Sequence, residues 1–242
     1  MNMRTSGLWS REQISVRLVD STFHPDAEAV ARVEAAWATA CARPGVHLFD
    51  GPLCRLERLE ATHEHLHLDV SRCSYKWFLG TNGTDATCEP RADAVGTSAA
   101  LVTVDGWLVF GKRSAAVALY PGYAHPFGGT LEPAEVIDPI AEMARELAEE
   151  VGIAADDLVD LRCIGLGVDP RLQQPELLYL ARVRLDRAEV ERRLDPEEHS
   201  ACWTVRADAA AIDTALRADD LTPVTRMVLE RYRELIAVTP AR

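Results

Sequence analysis

The segment Gly128–Ile153, GGTLEPAEVIDPIAEMARELAEEVGI, carries Glu142, Glu146, Glu149 and Glu150 at spacings of three and four residues. On a helix those offsets bring the carboxylates onto one face, where like charges repel. Arg145 lies in the same run and offsets only part of that repulsion. A divalent cation would offset the rest. Magnesium takes hard oxygen ligands, keeps several waters and bridges carboxylates to substrate phosphates. The plain alternative is a solvated acidic helix face. Neighbouring residues weigh against it: Met143, Leu147 and Val151 form an apolar stripe that docks the helix, and Gly152 stops it. Upstream, Gly128-Gly129 allows a tight turn that aims a backbone carbonyl at the cluster.

The elements that must position this helix follow from hydrophobic period and turn chemistry. Ser98–Val104 and Trp107–Gly111 are β-branched, apolar runs joined by Asp105-Gly106, a strong hairpin signal. A helix is predicted over Ile140–Val151, strands over Leu158–Val168, Leu177–Val183 and 200–206, and a closing helix over 222–237 with Val224, Met227, Val228, Tyr232 and Leu235 inward. Ahead of these, Ile14–Val19 reads as a strand, Pro25–Ala42 as a helix, and Cys54–His63 with His65–Val70 as a strand pair. The polar stretch Thr84–Gly96 reads as a linker. The organisation expected is an α+β extension over 1–90 followed by a main domain over 91–242, with strands between helices in an α/β/α sandwich.

The whole-chain balance narrows the function. The chain has 242 residues, 48% hydrophobic and 26% charged, with a formal net charge of -12, which suits a globular protein with a sizeable core. Duplex nucleic acid and anionic membranes need a basic face, so neither is an expected partner. Cys41, Cys54, Cys73, Cys88, Cys163 and Cys202 are scattered with no CxxC pair, which fits buried thiols in a reducing compartment. No apolar run approaches the ~20 residues of a membrane span, and no signal-peptide pattern precedes the first strand. The expected setting is the cytoplasm, as a monomer or homodimer. His63, His65 and His67 alternate at strand spacing without completing a ligand pattern and read as a solvated strand face.

The acidic segment resembles the Nudix signature, in which Gly, five residues, Glu and seven residues precede Arg-Glu-hydrophobic-x-Glu-Glu-x-Gly-hydrophobic. Gly129 and Glu135 match its first half, and Arg145–Ile153 match every fixed position of the second. The departure is nine residues, not seven, between Glu135 and Arg145, which places the usual pairing of those two residues in question. The segments LFDGP (48–52), YKWFLGTN (75–82), WLVFGKRS (107–114) and GGTLEP (128–133) are further similar to a branch of the family that cleaves UDP-glucose and UDP-galactose.

The resemblance implies a Nudix α/β/α sandwich and a magnesium-dependent pyrophosphatase, with manganese as a substitute. Glu146, Glu149 and Glu150 would bind the metal, joined by a carbonyl of Gly128 or Gly129, and Arg145 would orient the glutamates. Glu149 and Glu150 are candidates for catalysis too. The general base would be Glu176, or else Glu197, Glu198 or His199. Tyr75, Lys76, Trp77, Phe78 and Asn82 combine rings, a cation and an amide suited to a nucleobase, and Arg113 could reach a phosphate. Anchoring the extension is the alternative use of the aromatic segment. The small-molecule substrate expected is a nucleotide sugar; ADP-ribose, a dinucleotide, or a non-catalytic nucleotide-binding module are the alternatives.

Overall fold

The computed structural model describes residues 3–43, 48–82, 90–115, 117 and 119–238. Strands β1 (Met3–Trp9) and β2 (Ile14–Leu18) come first, then helix α1 (Ala27–Cys41), β3 (Pro52–Ala61), β4 (Leu66–Ser74) and the short helix α2 (Tyr75–Thr81). The Asp26 side chain starts α1 by accepting the Ala29 N–H at 2.7 Å. A hairpin follows, β5 (Gly96–Val102) and β6 (Trp107–Arg113), with Gly106 at φ 79° in its turn, as the Asp-Gly pair predicts. Then come β7 (Ala124–His125), β8 (Phe127–Thr130) and the acidic helix α3 (Pro139–Val151).

Sequence-local chemistry fixes both ends of α3. Asp138 accepts the N–H groups of Ile140 and Ala141 at 3.1 and 3.0 Å, Pro139 occupies the first turn, and Gly152 closes the helix in the left-handed region at φ 61°. The chain ends with β9 (Leu158–Val168), β10 (Pro175–Val183), α4 (Arg187–Arg193), β11 (His199–Arg206), α5 (Ala209–Ala215) and α6 (Pro223–Val238).

Among the described residues eight strands form one mixed sheet, in the order β1-β9-β10-β5-β6-β11, with β7 on β6 and β8 on β5. Side chains alternate across it. Ala99, Leu101, Val109, Leu177, Tyr179 and Ala181 meet Met143, Leu147 and Val151 of α3 on one face. Ala100, Leu108, Phe110, Leu178 and Leu180 meet Ile212 of α5 and Val224, Val228 and Tyr232 of α6 on the other. This is the expected α/β/α sandwich. A three-stranded sheet, β2-β4-β3, sends Cys54, Leu56, Leu66, Leu68 and Val70 into the α3-side core, so residues on both sides of position 90 share one core.

Sequence and structure diverge in places. Helices α2, α4 and α5 span seven residues each, too short to show a period, and strand β1 is half exposed along its length. Of the expected linker, residues 83–89 lie outside the described ones, and Ala92, Ala94 and Val95 are buried, with Val95 N–H bonded to the Cys54 carbonyl at 2.8 Å. Among the described residues no helix is long and apolar enough to cross a membrane. Cys41, Cys54, Cys73, Cys163 and Cys202 are free thiols, and Cys88 lies outside the described residues.

Candidate active site

The carboxylates of α3 divide into two groups. Arg145 bonds Glu142, Glu146 and Glu149 together, with its Nη2 at 2.6 Å from Glu146. These bonds hold the guanidinium protonated, chiefly through Glu142 and then Glu149. Glu135 carries no hydrogen bond or ion pair among the described residues; the inserted residues leave Arg145 to partners on its own helix. Glu150 turns the other way. Buried at 4% exposure, it accepts the Gly128 N–H at 3.2 Å and lies 2.9 Å from Nε2 of His199.

Burial pushes the Glu146 carboxyl up to about 7, against the pull of Arg145 and with the help of Glu150, Glu142 and Glu149. The backbone of β8 runs directly beneath it, because a Cβ at Gly129 would overlap the Glu146 carboxylate. Hard oxygen donors, crowded against one another with a single arginine among them, are a donor set for a divalent cation of magnesium type.

Beside α3 opens a cleft of about 180 Å³, lined by Tyr75, Phe78, Arg113, Tyr120, Gln174 and Glu176 among others. Gly128, Gly129 and Thr130 form its wall nearest the acidic helix. Glu176 is second in β10, opposite Gly96 of β5, and accepts from Ser98 Oγ at 3.2 Å. Burial, followed by the charge of Asp169, raises its carboxyl to about 8. Arg113 ends β6 and gives its Nε to the Leu119 carbonyl at 2.8 Å, while its η nitrogens make no hydrogen bond or ion pair among the described residues. Burial lowers its pKa, and the charges of Glu150, Glu198 and Glu176 oppose that shift.

Tyr120, Asp169 and Gln174 escape the sequence analysis. The Tyr120 hydroxyl donates to Asp169 at 2.8 Å, Arg171 stacks 5.1 Å above the Tyr120 ring, and Asp169 also accepts the Arg171 and Leu172 N–H groups. The available signal was Asp169-Pro170, a turn dipeptide just before a strand.

Tyr75 and Phe78 reach the cleft from α2. Lys76, on the other side of that helix, pairs its Nζ with Glu34 at 2.8 Å. Trp77 stacks edge-on against Phe23 at 5.2 Å. The Asn82 amide is buried and donates to the Leu172 carbonyl at 3.0 Å, so it braces the turn that carries Gln174 and does not line the cleft. Glu198 and His199 approach Glu150, with ligand-type atoms of the three within 4.8 Å of one another, while Glu197 stays on the exposed loop. Partial burial and then the Glu150 charge raise the Glu198 carboxyl. Outside the cleft lining, Ser15 Oγ sits between His65 Nε2 and His67 Nδ1, 2.8 Å from each.

Fold and site together define an α/β/α sandwich in which the strand Phe127–Thr130 lies between the acidic helix and a cleft lined by aromatic and charged side chains. The NUDIX domain model matches residues 94–225, more than half of the chain, and the chain belongs to the Nudix family. It is similar to the uridine diphosphate glucose pyrophosphatase NUDT22 of Mus musculus, 34% identical over 146 residues, covering 51% of this chain and 46% of that protein. Against the Homo sapiens protein of the same name it is 35% identical over 121 residues, covering 42% and 39%. The chain thus spans less than half the length of these relatives. Among solved structures, DR0079 from Deinococcus radiodurans superposes with a TM-score of 0.50 at 16% identity, covering 74% of this chain and 98% of that one, a likeness of fold.

Proposed function

We propose that this protein hydrolyses the diphosphate bond of a nucleoside diphosphate sugar, with UDP-glucose and UDP-galactose as substrates and UMP and hexose 1-phosphate as products. The observation that carries the reading is the shared cleft: Gly128–Thr130, packed against the α3 carboxylates, form one wall, and Tyr75 and Phe78 from residues before position 90 form another. The segments that supply the second wall are also those similar to the UDP-sugar-cleaving relatives.

Glu146, Glu149 and Glu150, with the Gly129 carbonyl, would hold magnesium, or manganese in its place; when bound, such a cation neutralises phosphate charge and acidifies a water. The remaining roles fall to side chains of the cleft. Tyr75 and Phe78 flank the base, where ring stacking orients it. The η nitrogens of Arg113, without a partner among the described residues, donate to diphosphate oxygens. Water oxygen attacks one phosphorus, the bridging P–O bond breaks, and hexose 1-phosphate departs with the bond's electron pair. Glu176 takes the proton of the attacking water as general base. Arg145 keeps Glu146 and Glu149 in place. Cysteines without disulfide partners among the described residues suit a reducing compartment such as the cytoplasm.

The test is product analysis with magnesium against UDP-glucose, UDP-galactose, ADP-ribose, NADH and nucleoside triphosphates. UMP from the UDP-hexoses is the expected result. Preference for another compound would discard the sugar assignment and keep the chemistry; turnover of none would favour a nucleotide-binding module.

A further inference from the structure

Proximity alone would make His199 a metal ligand, since Glu150, Glu198 and His199 bring ligand-type atoms within 4.8 Å of one another. The chemistry of the ring points elsewhere. An ionised carboxylate only accepts hydrogen bonds, and a neutral imidazole carries a single N–H. Nε2, 2.9 Å from Glu150 Oε2, is the ring nitrogen with an acceptor in reach, and that geometry places the ring's N–H there. Nδ1 is then a bare acceptor, buried with no partner among the described residues.

The β6 backbone seals that nitrogen, because a Cβ at Gly111 would fall on Nδ1 and Cε1 of the ring. Phe127 meets the ring edge-on at 5.2 Å, and His199 as a whole is 2% exposed, so the imidazole has no room to turn. Ligation through Nε2 would force the proton onto Nδ1, where no acceptor waits. Metal-bound imidazoles almost always give their second N–H to a carboxylate, a carbonyl or a water. Ligation would also strip Glu150 of one of its donors.

We infer that His199 is a positioning residue that donates Nε2–H to Glu150 and, together with the Gly128 N–H, fixes the direction of that carboxylate without itself touching the cation. The inference rests on the reading of Glu150 as a metal ligand. It gives the last glutamate of α3 a holder of its own, as Arg145 is the holder of Glu146 and Glu149.

Manganese(II) titrated into the full chain tests it, with continuous-wave EPR for affinity and pulsed EPR for nitrogen coupled to the ion. The wild type should bind manganese and show no imidazole nitrogen coupling. His199→Ala should weaken binding by about 10–100-fold, the usual range for a lost supporting partner. His199→Gln, whose amide N–H can stand where Nε2–H does, should recover most of that affinity. Nitrogen coupling in the wild type that vanishes in His199→Gln would make the histidine a ligand and overturn the inference. So would a His199→Ala protein that binds as tightly as wild type while Glu150→Gln does not, an outcome that leaves the metal reading standing. Failure of the wild type to bind manganese overturns both. Should His199→Ala not fold, the wild-type spectrum and His199→Gln still decide.

Discussion

Gly96 and Glu176 lie opposite one another in the parallel pairing of β5 and β10, and the Glu176 carboxyl occupies the space a Cβ at position 96 would need. The acid is held from below by a missing side chain and from the side by Ser98. Gly96→Ala should therefore displace Glu176 without touching substrate. A shift of an ångström at a catalytic group can cost about 10²-fold, and kcat for UDP-glucose should fall toward that figure while KM stays near wild type. Unchanged kcat would remove Glu176 from the reaction.

Glu176 also makes stability depend on pH. Its carboxyl titrates near 8 in the folded chain, above the ordinary carboxylate value of 4.5, because of burial and then Asp169. Below pH 4.5 the group is neutral in both states. As pH rises toward 8 only the unfolded state gains the charge, so folding is progressively disfavoured, and the effect levels off above that point. In chelator, Glu176→Gln should match wild-type Tm near pH 4.5 and exceed it by several degrees at pH 8 to 9, given roughly 2–4 °C per kcal/mol at this size. A Tm difference that is constant across pH would contradict the burial effect.

Glu149 separates catalysis from folding. Its side chain is 58% exposed and bonds only Arg145 among the described residues, so Glu149→Gln should leave the circular dichroism spectrum and Tm unaltered. Turnover should drop by about 10²-fold or more, the scale of a lost electrostatic contact to the transition state. Glu142→Gln, which alters the other end of the Arg145 network, should stay close to wild type. Equal losses in the two variants would assign the effect to Arg145 and not to a cation.

Excess chelator should abolish turnover, and magnesium should restore it. Magnesium at a hundred times its Kd adds about 2.7 kcal/mol to the folded state, a Tm rise of roughly 5–10 °C at this chain length. A melting curve indifferent to magnesium would count against the acidic cluster as its site.

Neighbouring residues of α2 should behave oppositely. Tyr75 lines the cleft, and Tyr75→Ala should raise KM by about three- to tenfold, the energy of one ring contact. Lys76 points away to Glu34, and Lys76→Met should leave both kcat and KM as they are. A KM effect at Lys76 would mean that α2 presents its other side to the nucleotide.

The sequence exposed the helix and its chemistry because they are local. Carboxylate spacing, the Met143-Leu147-Val151 stripe and Gly152 all act within about a dozen residues, and the Asp105-Gly106 hairpin within two. What stayed hidden is set by distant partners. Tyr120 becomes a cleft residue through Asp169, 49 positions away, and Glu150 meets His199 across the same number of positions. Lys76 and Asn82 looked like ligand-binding groups by type, yet their directions depend on Glu34 and Leu172, which no spacing rule connects to them. Strand β1 was invisible for another reason: its exposed positions alternate with half-buried ones, and a strand at the rim of a sheet needs little apolar pattern.

That rim strand takes its partners from far along the chain. Met3 pairs with Gly167 and Trp9 with Cys163, and the Arg231 guanidinium clips the Gly7 carbonyl to the Ile164 carbonyl. The pairing of β1 must wait until β9 and then α6 have left the ribosome. The small sheet and the hairpin can form from nearby segments in the meantime, whereas β1 closes a loop of most of the chain, at an entropic cost that grows only slowly with length. The early strand is thus the latch of the finished sheet, and a nascent chain stalled before residue 163 would lack the strand that β1 pairs with, leaving Trp9 to hold on through the Thr62 carbonyl.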